Sequence, residues 1–192
     1  GVPAVPAPIA GTNESTVAML PNGSLYMTQR TNAGQPMRAY SISHDDGQTW
    51  TESQLVPEID PDMTQIKAGL TALAAEGASD VTGLLLSAPE GPGRANLALW
   101  YSPDAEQWSR VSQINNQPAG YSELIQLPDG FAGLLYENGE QRYNAKLSFA
   151  RLNINSETIA SFNGVHGDVD QDGDVDLEDV EAFVSRWGGL AR

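Results

Sequence analysis

Glu14 and Tyr121 stand 107 positions apart and open two copies of one short pattern. The first copy runs Glu14-Ser-Thr-Val-Ala-Met-Leu-Pro-Asn-Gly23, the second Tyr121-Ser-Glu-Leu-Ile-Gln-Leu-Pro-Asp-Gly130, and Pro21 and Pro128 share the same offset. In a radially repeated fold, equivalent positions on different repeats face one central axis. A carboxylate and a phenol at equivalent positions are therefore expected to converge on one pocket.

The elements that must position this pair read as short strands punctuated by turns. Val17–Leu20 and Leu25–Thr28 flank Pro-Asn-Gly as a hairpin, and Ile125–Leu127 and Gly133–Tyr136 flank Pro-Asp-Gly in the second copy. Leu70–Ala74 and Leu84–Ser87 form a third version with a looser turn, and further strands fit Arg38–Ser43, Asn96–Tyr101 and Ala145–Asn153. No strong helical period precedes residue 160. The expected fold class is all-β, with four-stranded propeller blades repeating at roughly 50 residues. That gives about three blades, too few to close a ring of typically 4–8. Near Ser161–Gly164 the style changes, so residues 1–162 are read as the partial propeller and 163–192 as a separate module.

The bulk composition narrows the partners. With 25 acidic against 10 basic residues the formal charge is −15, which disfavours nucleic acid and anionic membrane. No apolar run is long enough to span a bilayer. The chain has no cysteine, which excludes disulfides and thiol chemistry. Only Lys67 and Lys146 are lysines; the other basic residues are arginines, whose planar fork suits carboxylates.

Ser43-His-Asp-Asp-Gly-Gln-Thr-Trp50 has the form Ser-x-Asp-x-Gly-x-Thr-Trp. Ser43 and Asp45 can bond the turn backbone, Gly47 permits a positive φ, and Trp50 offers an apolar plate. Ser102-Pro-Asp-Ala-Glu-Gln-Trp108 is a second copy, one residue shorter and without the glycine. Both resemble the Asp-box, or bacterial neuraminidase repeat, a structural turn that carries no chemistry. Asn13-Glu14 through Arg30, Arg38 and the Asp-box resembles the fourth blade of a sialidase catalytic domain. Ser87-Ala-Pro-Glu-Gly-Pro-Gly-Arg94 resembles the segment with the third arginine of the sialidase triad. Tyr121 through Glu137 resembles the nucleophile segment and final blade, and the likeness spans about residues 10–155.

The resemblance implies the C-terminal half of a six-bladed sialidase propeller and exo-α-sialidase activity. Sialic acid carries a carboxylate on its anomeric carbon, which would repel a carboxylate nucleophile. Sialidases are glycosidases that use a tyrosine instead. Tyr121 is then the nucleophile and Glu14 its base, while Arg38 and Arg94 grip the substrate carboxylate. Arg30 and Glu137 would steady a partner from behind or form a structural ion pair. The Arg-Ile-Pro segment with the first triad arginine and the acid/base Asp have no match, so the fragment is expected to be inactive alone. Asn13-Glu-Ser and Asn22-Gly-Ser match the glycosylation sequon and are read as chance.

The tail is a calcium-loop pattern. Asp168, Asp170, Asp172, Asp176 and Asp179 fall at loop positions 1, 3, 5, 9 and 12, with Gly173 at 6 and Asp174 at 7, which can give a backbone carbonyl. The helix expected next puts Leu177, Val180, Phe183, Val184 and Trp187 on one face. Residues 166–188 resemble one dockerin repeat, an EF-hand-like loop and helix, which implies Ca2+ and a cohesin-type scaffold partner. The whole reads as part of a secreted, bacterial, carbohydrate-degrading protein acting on sialylated glycoconjugates. The rivals are another Asp-box glycosidase, a non-catalytic carbohydrate-binding propeller, and an adaptor docked through its tail.

Overall fold

The computed structural model describes residues 12–31, 38–59, 66–74, 81–90, 93–128 and 131–154. The calcium-loop pattern, its helix and the boundary near residue 162 lie outside them. The described residues form two sheets. The first is a four-stranded antiparallel meander of β1 (Asn13–Met19), β2 (Leu25–Arg30), β3 (Arg38–Ser43) and β4 (Gln54–Val56). The second has six strands in the order β10-β9-β8-β7-β6-β5. These are β5 (Gly69–Ala74), β6 (Val81–Pro89), β7 (Ala95–Ser102), β8 (Ser109–Leu127), β9 (Phe131–Asn138) and β10 (Lys146–Asn153).

Two repeats share the long strand β8. Its first half pairs with β7 and closes a middle unit β5-β6-β7-β8; its second half pairs with β9 and opens a last unit with β10. The changeover falls at Pro118, which cannot donate a ladder hydrogen bond and so suits an irregular point in a strand. Three register shifts along the β7–β8 ladder bend and twist the strand there. β8 also covers 109–120, where Ser-Gln-Ile-Asn-Asn-Gln-Pro has no clean alternation; neither this stretch nor the three-residue strand β4 is among the strands expected from the sequence.

The core lies in two layers, one on each face of the middle unit. Ala18, Leu20, Tyr26, Leu70, Leu84, Leu86, Trp100 and Trp108 fill the layer toward the first sheet. Leu73, Leu85, Leu97, Leu99, Tyr101, Leu124, Leu134 and Leu152 fill the layer toward the last unit. A strand buried on both faces reads as a continuous apolar run. That explains Leu84-Leu85-Leu86, in which each side chain is fully buried. Full burial of each such leucine stabilises the fold by roughly 1.5–3 kcal/mol.

Both Asp-box turns form as their residues require. The Ser43 hydroxyl accepts the Gly47 N–H at 2.9 Å, and Asp45 accepts both the N–H and the hydroxyl of Thr49, at 2.8 and 2.6 Å. Gly47 takes φ +84°. In the second turn Ala105 stands at φ +66°, and Asp104 accepts the N–H groups of Glu106 and Gln107 at 2.9 Å. The shorter turn thus forces an alanine into the left-handed region that glycine tolerates. Trp108 is buried against Tyr26, whereas Trp50 is only half-buried.

Candidate active site

β1, β5 and the second half of β8 are the inner strands of the three units. β5 holds the other two together: the Thr16 hydroxyl donates to the Ala68 carbonyl at 3.0 Å, and Ser122 Oγ lies 3.3 Å from the Gly69 N–H and 2.9 Å from the Ser87 carbonyl. Ala68 and Gly69 are small, and a Cβ on Gly69 would stand 3.0 Å from the Glu123 Cα. Close approach of the inner strands lets a side chain of the first unit reach one of the last.

That contact is made by Glu14 and Tyr121. The Tyr121 hydroxyl donates to Glu14 Oε1 at 2.8 Å, and Arg30 Nη1 lies 2.7 Å from Glu14 Oε2. Both residues sit at register shifts. In β1, Asn13 pairs with Arg30 and Ser15 with Gln29, leaving Glu14 as the extra residue at φ +35°. In β8, Ala119 pairs with Asn138 and Ser122 with Tyr136, so Tyr121 lies in the irregular stretch. A bulge re-aims a side chain, and a non-glycine residue at positive φ stores strain held in place by its surroundings.

Tyr121 is fixed from behind. Glu137 Oε2 accepts its backbone N–H at 3.1 Å. Gly120 makes room: a Cβ there would collide with the Glu137 carboxylate and stand 2.8 Å from Tyr143 Cδ2. Arg94, at φ +56° just before β7, gives its carbonyl to the Ala119 N–H at 2.8 Å. Its guanidinium lies 5.6 Å from the Tyr121 ring centroid and 4.7 Å from that of Tyr143, both within cation–π range. Tyr143 escaped the sequence reading; an aromatic in a polar turn, Gln141-Arg-Tyr-Asn144, carries no signal by itself.

Arg38 is placed differently from the expectation. It is 3 % exposed, with Nη1 donating to Thr28 Oγ1 at 3.2 Å and Nη2 donating to the Ile66 carbonyl. Burial pulls its pKa down to about 10. Its fork is committed to the seam between the first and middle units. Arg30, expected to steady a partner or form an ion pair, lies against the Glu14 carboxylate. The reason is strand order. β2 adjoins the inner strand β1, while β3 lies one strand spacing further out, about 4.8 Å.

The charges around the pair explain its protonation. Partial burial pushes the Glu14 carboxyl up, but the Arg30 guanidinium paired with it, the Tyr121 hydrogen bond and the nearby Arg94 charge outweigh it and leave the group below its ordinary range. The hydrogen bond to Glu14 raises the Tyr121 phenol, with partial burial adding, while Arg94 and Arg30 pull the other way. At neutral pH the arrangement is therefore a neutral phenol on an ionised carboxylate, poised for proton transfer once the oxygen gains an electrophile. Among the described residues no group of three or more His, Cys, Asp or Glu could hold a metal ion. Of the sequon residues, Asn22 closes a turn by accepting the Ser24 N–H at 2.9 Å.

Residues 3–134 match the family model of the BNR repeat-like domain. No curated protein matches the sequence. Among solved structures, the chain is similar to the intramolecular trans-sialidase from Ruminococcus gnavus in complex with oseltamivir carboxylate. The identity is 27 % and the TM-score 0.61, over 80 % of this chain and 35 % of that one. It is also similar to Trypanosoma rangeli sialidase in complex with sialic acid, at 22 % identity and TM-score 0.58, over 80 % of this chain and 24 % of that one. The α-L-arabinofuranosidase of Fusarium graminearum shares 19 % identity at TM-score 0.60, over 77 % of this chain and 48 % of that one. The last two likenesses concern the fold alone. The chain thus spans about a third of the Ruminococcus gnavus structure. The described residues are all-β and form part of a sialidase-like β-propeller. The matched span covers more than half of the sequence, and the chain belongs to the BNR repeat-like domain family, with a low-identity relationship to glycoside hydrolases of the sialidase type.

Proposed function

We propose that this chain carries the nucleophile half of an exo-α-sialidase site in a six-bladed propeller. The observation that supports this most is the 2.8 Å hydrogen bond from the Tyr121 phenol to Glu14, with Arg30 on the other carboxylate oxygen. In the proposed first step the Tyr121 oxygen attacks the anomeric carbon of sialic acid. Its proton passes to Glu14, and the bond to the leaving sugar breaks with its electron pair. That oxygen takes a proton from a carboxylic acid in another part of the full-length protein. Water then gives one proton to that carboxylate as its oxygen displaces the tyrosyl oxygen and releases sialic acid, and Glu14 returns its proton to Tyr121.

A phenol suits this substrate because it approaches an anion while still neutral. Arg30 and Arg94 are the arginines proposed to bind the substrate carboxylate, in place of the sequence-expected pair Arg38 and Arg94. Glu137 holds the Tyr121 backbone, which orients the nucleophile. This chain alone is proposed to be inactive; sialic acid release from a fluorogenic sialoside by the 192 residues would count against that. In the full-length protein Tyr121→Phe should abolish turnover and keep sialic acid binding. Unchanged turnover would sink the nucleophile assignment. A carbohydrate-binding propeller would bind with no turnover to lose, and another Asp-box glycosidase would reject sialosides.

We further propose that residues 163–192 are a dockerin-like calcium module, with Asp168, Asp170, Asp172, Asp174, Asp176 and Asp179 supplying oxygens. The loop glycine in register with alternating oxygen side chains supports it. Secretion from a bacterium, sialylated glycoconjugate substrates and a cohesin-type scaffold partner belong to the same reading. Calorimetry should show a calcium-binding heat that Asp172→Asn diminishes; no heat from the whole chain would remove the module.

A further inference from the structure

We propose that Tyr143 is a positioning residue: its ring, seated on the backbone at Gly120, holds the Arg94 guanidinium beside the Tyr121 phenol. Three observations on different parts of the turn converge on this. The guanidinium carbon of Arg94 is 4.7 Å from the Tyr143 centroid and 5.6 Å from that of Tyr121, so the cation lies near two rings at once. Tyr143 Cδ2 comes so close to Gly120 that any side chain there would displace the ring. The turn that carries Tyr143 is tied to β8 and to itself: the Gly139 N–H donates to the Pro118 carbonyl at 3.2 Å and the Ala145 N–H to the Arg142 carbonyl at 3.3 Å.

A long arginine side chain has several rotatable bonds, and holding it in one place costs conformational entropy. Its backbone is already fixed at φ +56° by the bond from the Ala119 N–H. The ring of Tyr143 supplies a face on which the far end can rest, through the attraction of a cation to an aromatic quadrupole. The groups whose charge acts on the Tyr121 phenol are then Glu14, Arg30 and Arg94, with Glu137 at its backbone. Of these, Arg94 is the one that lies against the Tyr143 ring. The use of this arrangement to grip a substrate carboxylate rests on the sialidase reading above; the arrangement itself does not.

The test is a fluorine NMR titration of the full chain with fluorotyrosine in place of tyrosine, which lowers the phenol pKa into a milder range. The Tyr121 signal is assigned by its loss in Tyr121→Phe. Tyr143→Leu is expected to move the Tyr121 titration upward, in the direction of Arg94→Gln, because the cation drifts from the phenol. Tyr143→Phe retains the ring face and should titrate as wild type. In the Arg94→Gln background Tyr143→Leu should add no further shift. A wild-type Tyr121 titration in folded Tyr143→Leu would overturn the proposal, as would a full Tyr143→Leu shift that persists without Arg94. Should Tyr143→Leu fail to fold, Tyr143→Met, which also removes the ring face, must give the upward shift. No substrate enters this readout, so loss of the sialidase reading leaves its result standing.

Discussion

Glu14 and Tyr121 hydrogen-bond across an intervening unit, and each stands where its strand slips register against its neighbour. In a regular strand, successive side chains alternate between faces. An extra residue breaks that alternation and lets a side chain leave the sheet face for the strand's inner end. The functional pair therefore depends on two departures from regular pairing, and changes that restore regularity should disperse it.

Arg30 and Arg38 should separate function from stability. Arg38→Met leaves the Thr28 hydroxyl and Ile66 carbonyl without their donor in a buried seam. The expected loss is about 2–4 kcal/mol in urea unfolding. Arg30→Ala removes a partly exposed ion pair, expected to contribute no more than about 1 kcal/mol, yet it should sharply weaken sialic acid binding. Equal stability losses in the two variants would contradict these placements.

Tyr121→Phe should also change Glu14. The carboxyl is held below its ordinary range partly by the phenol hydrogen bond, so removing the hydroxyl should raise its pKa toward that of a free glutamate. A depressed folded-state pKa stabilises the protein above the unfolded pKa, and that stability disappears as pH falls through the folded value. Carbon NMR of the labelled carboxyl reads the shift directly. A Glu14 titration unaffected by the substitution would mean that the phenol does not hold the carboxylate in solution.

The first Asp-box predicts an acid-sensitive turn. Asp45 is held down at about 2 by the Thr49 hydroxyl and N–H and by Ser43. Its ordinary value is near 3.8, so its contribution is present above that pH and is lost as pH falls toward 2. Thermal midpoints measured from pH 5 to 2 should fall for wild type, and the fall should be shallower in Asp45→Ala, which starts lower. Identical pH slopes would rule out this carboxylate as a contributor.

Gly69→Ala tests the close approach of the inner strands. The added methyl meets the Glu123 Cα and Leu124 N at 3.0 Å, both backbone atoms that can give way only by moving a strand. Overpacking of this kind costs typically about 1–3 kcal/mol. The Tyr121–Glu14 hydrogen bond should weaken with it, seen as a Tyr121 phenol that titrates lower because the carboxylate no longer holds its proton. A stable variant with an unmoved Tyr121 titration would show that the inner strands have slack.

The amino-acid sequence by itself determined the turns, the strand-rich character and the equivalence of positions 14 and 121. Those are local or periodic properties: Ser-x-Asp-x-Gly writes its own hydrogen bonds, and Leu-Pro-Asn-Gly and Leu-Pro-Asp-Gly mark corresponding hairpins. Tertiary structure decided which arginine meets Glu14. Arg30 ends β2 and Arg38 begins β3, but only the strand order places one beside the inner strand and the other within a seam. It also decided that β8 runs unbroken through Pro118 to serve two units, and that Tyr143 lies next to Arg94 from 49 residues away. A strand's neighbours, and the side chains that reach past them through a bulge, are set by packing between units, and packing leaves no period in the sequence to read.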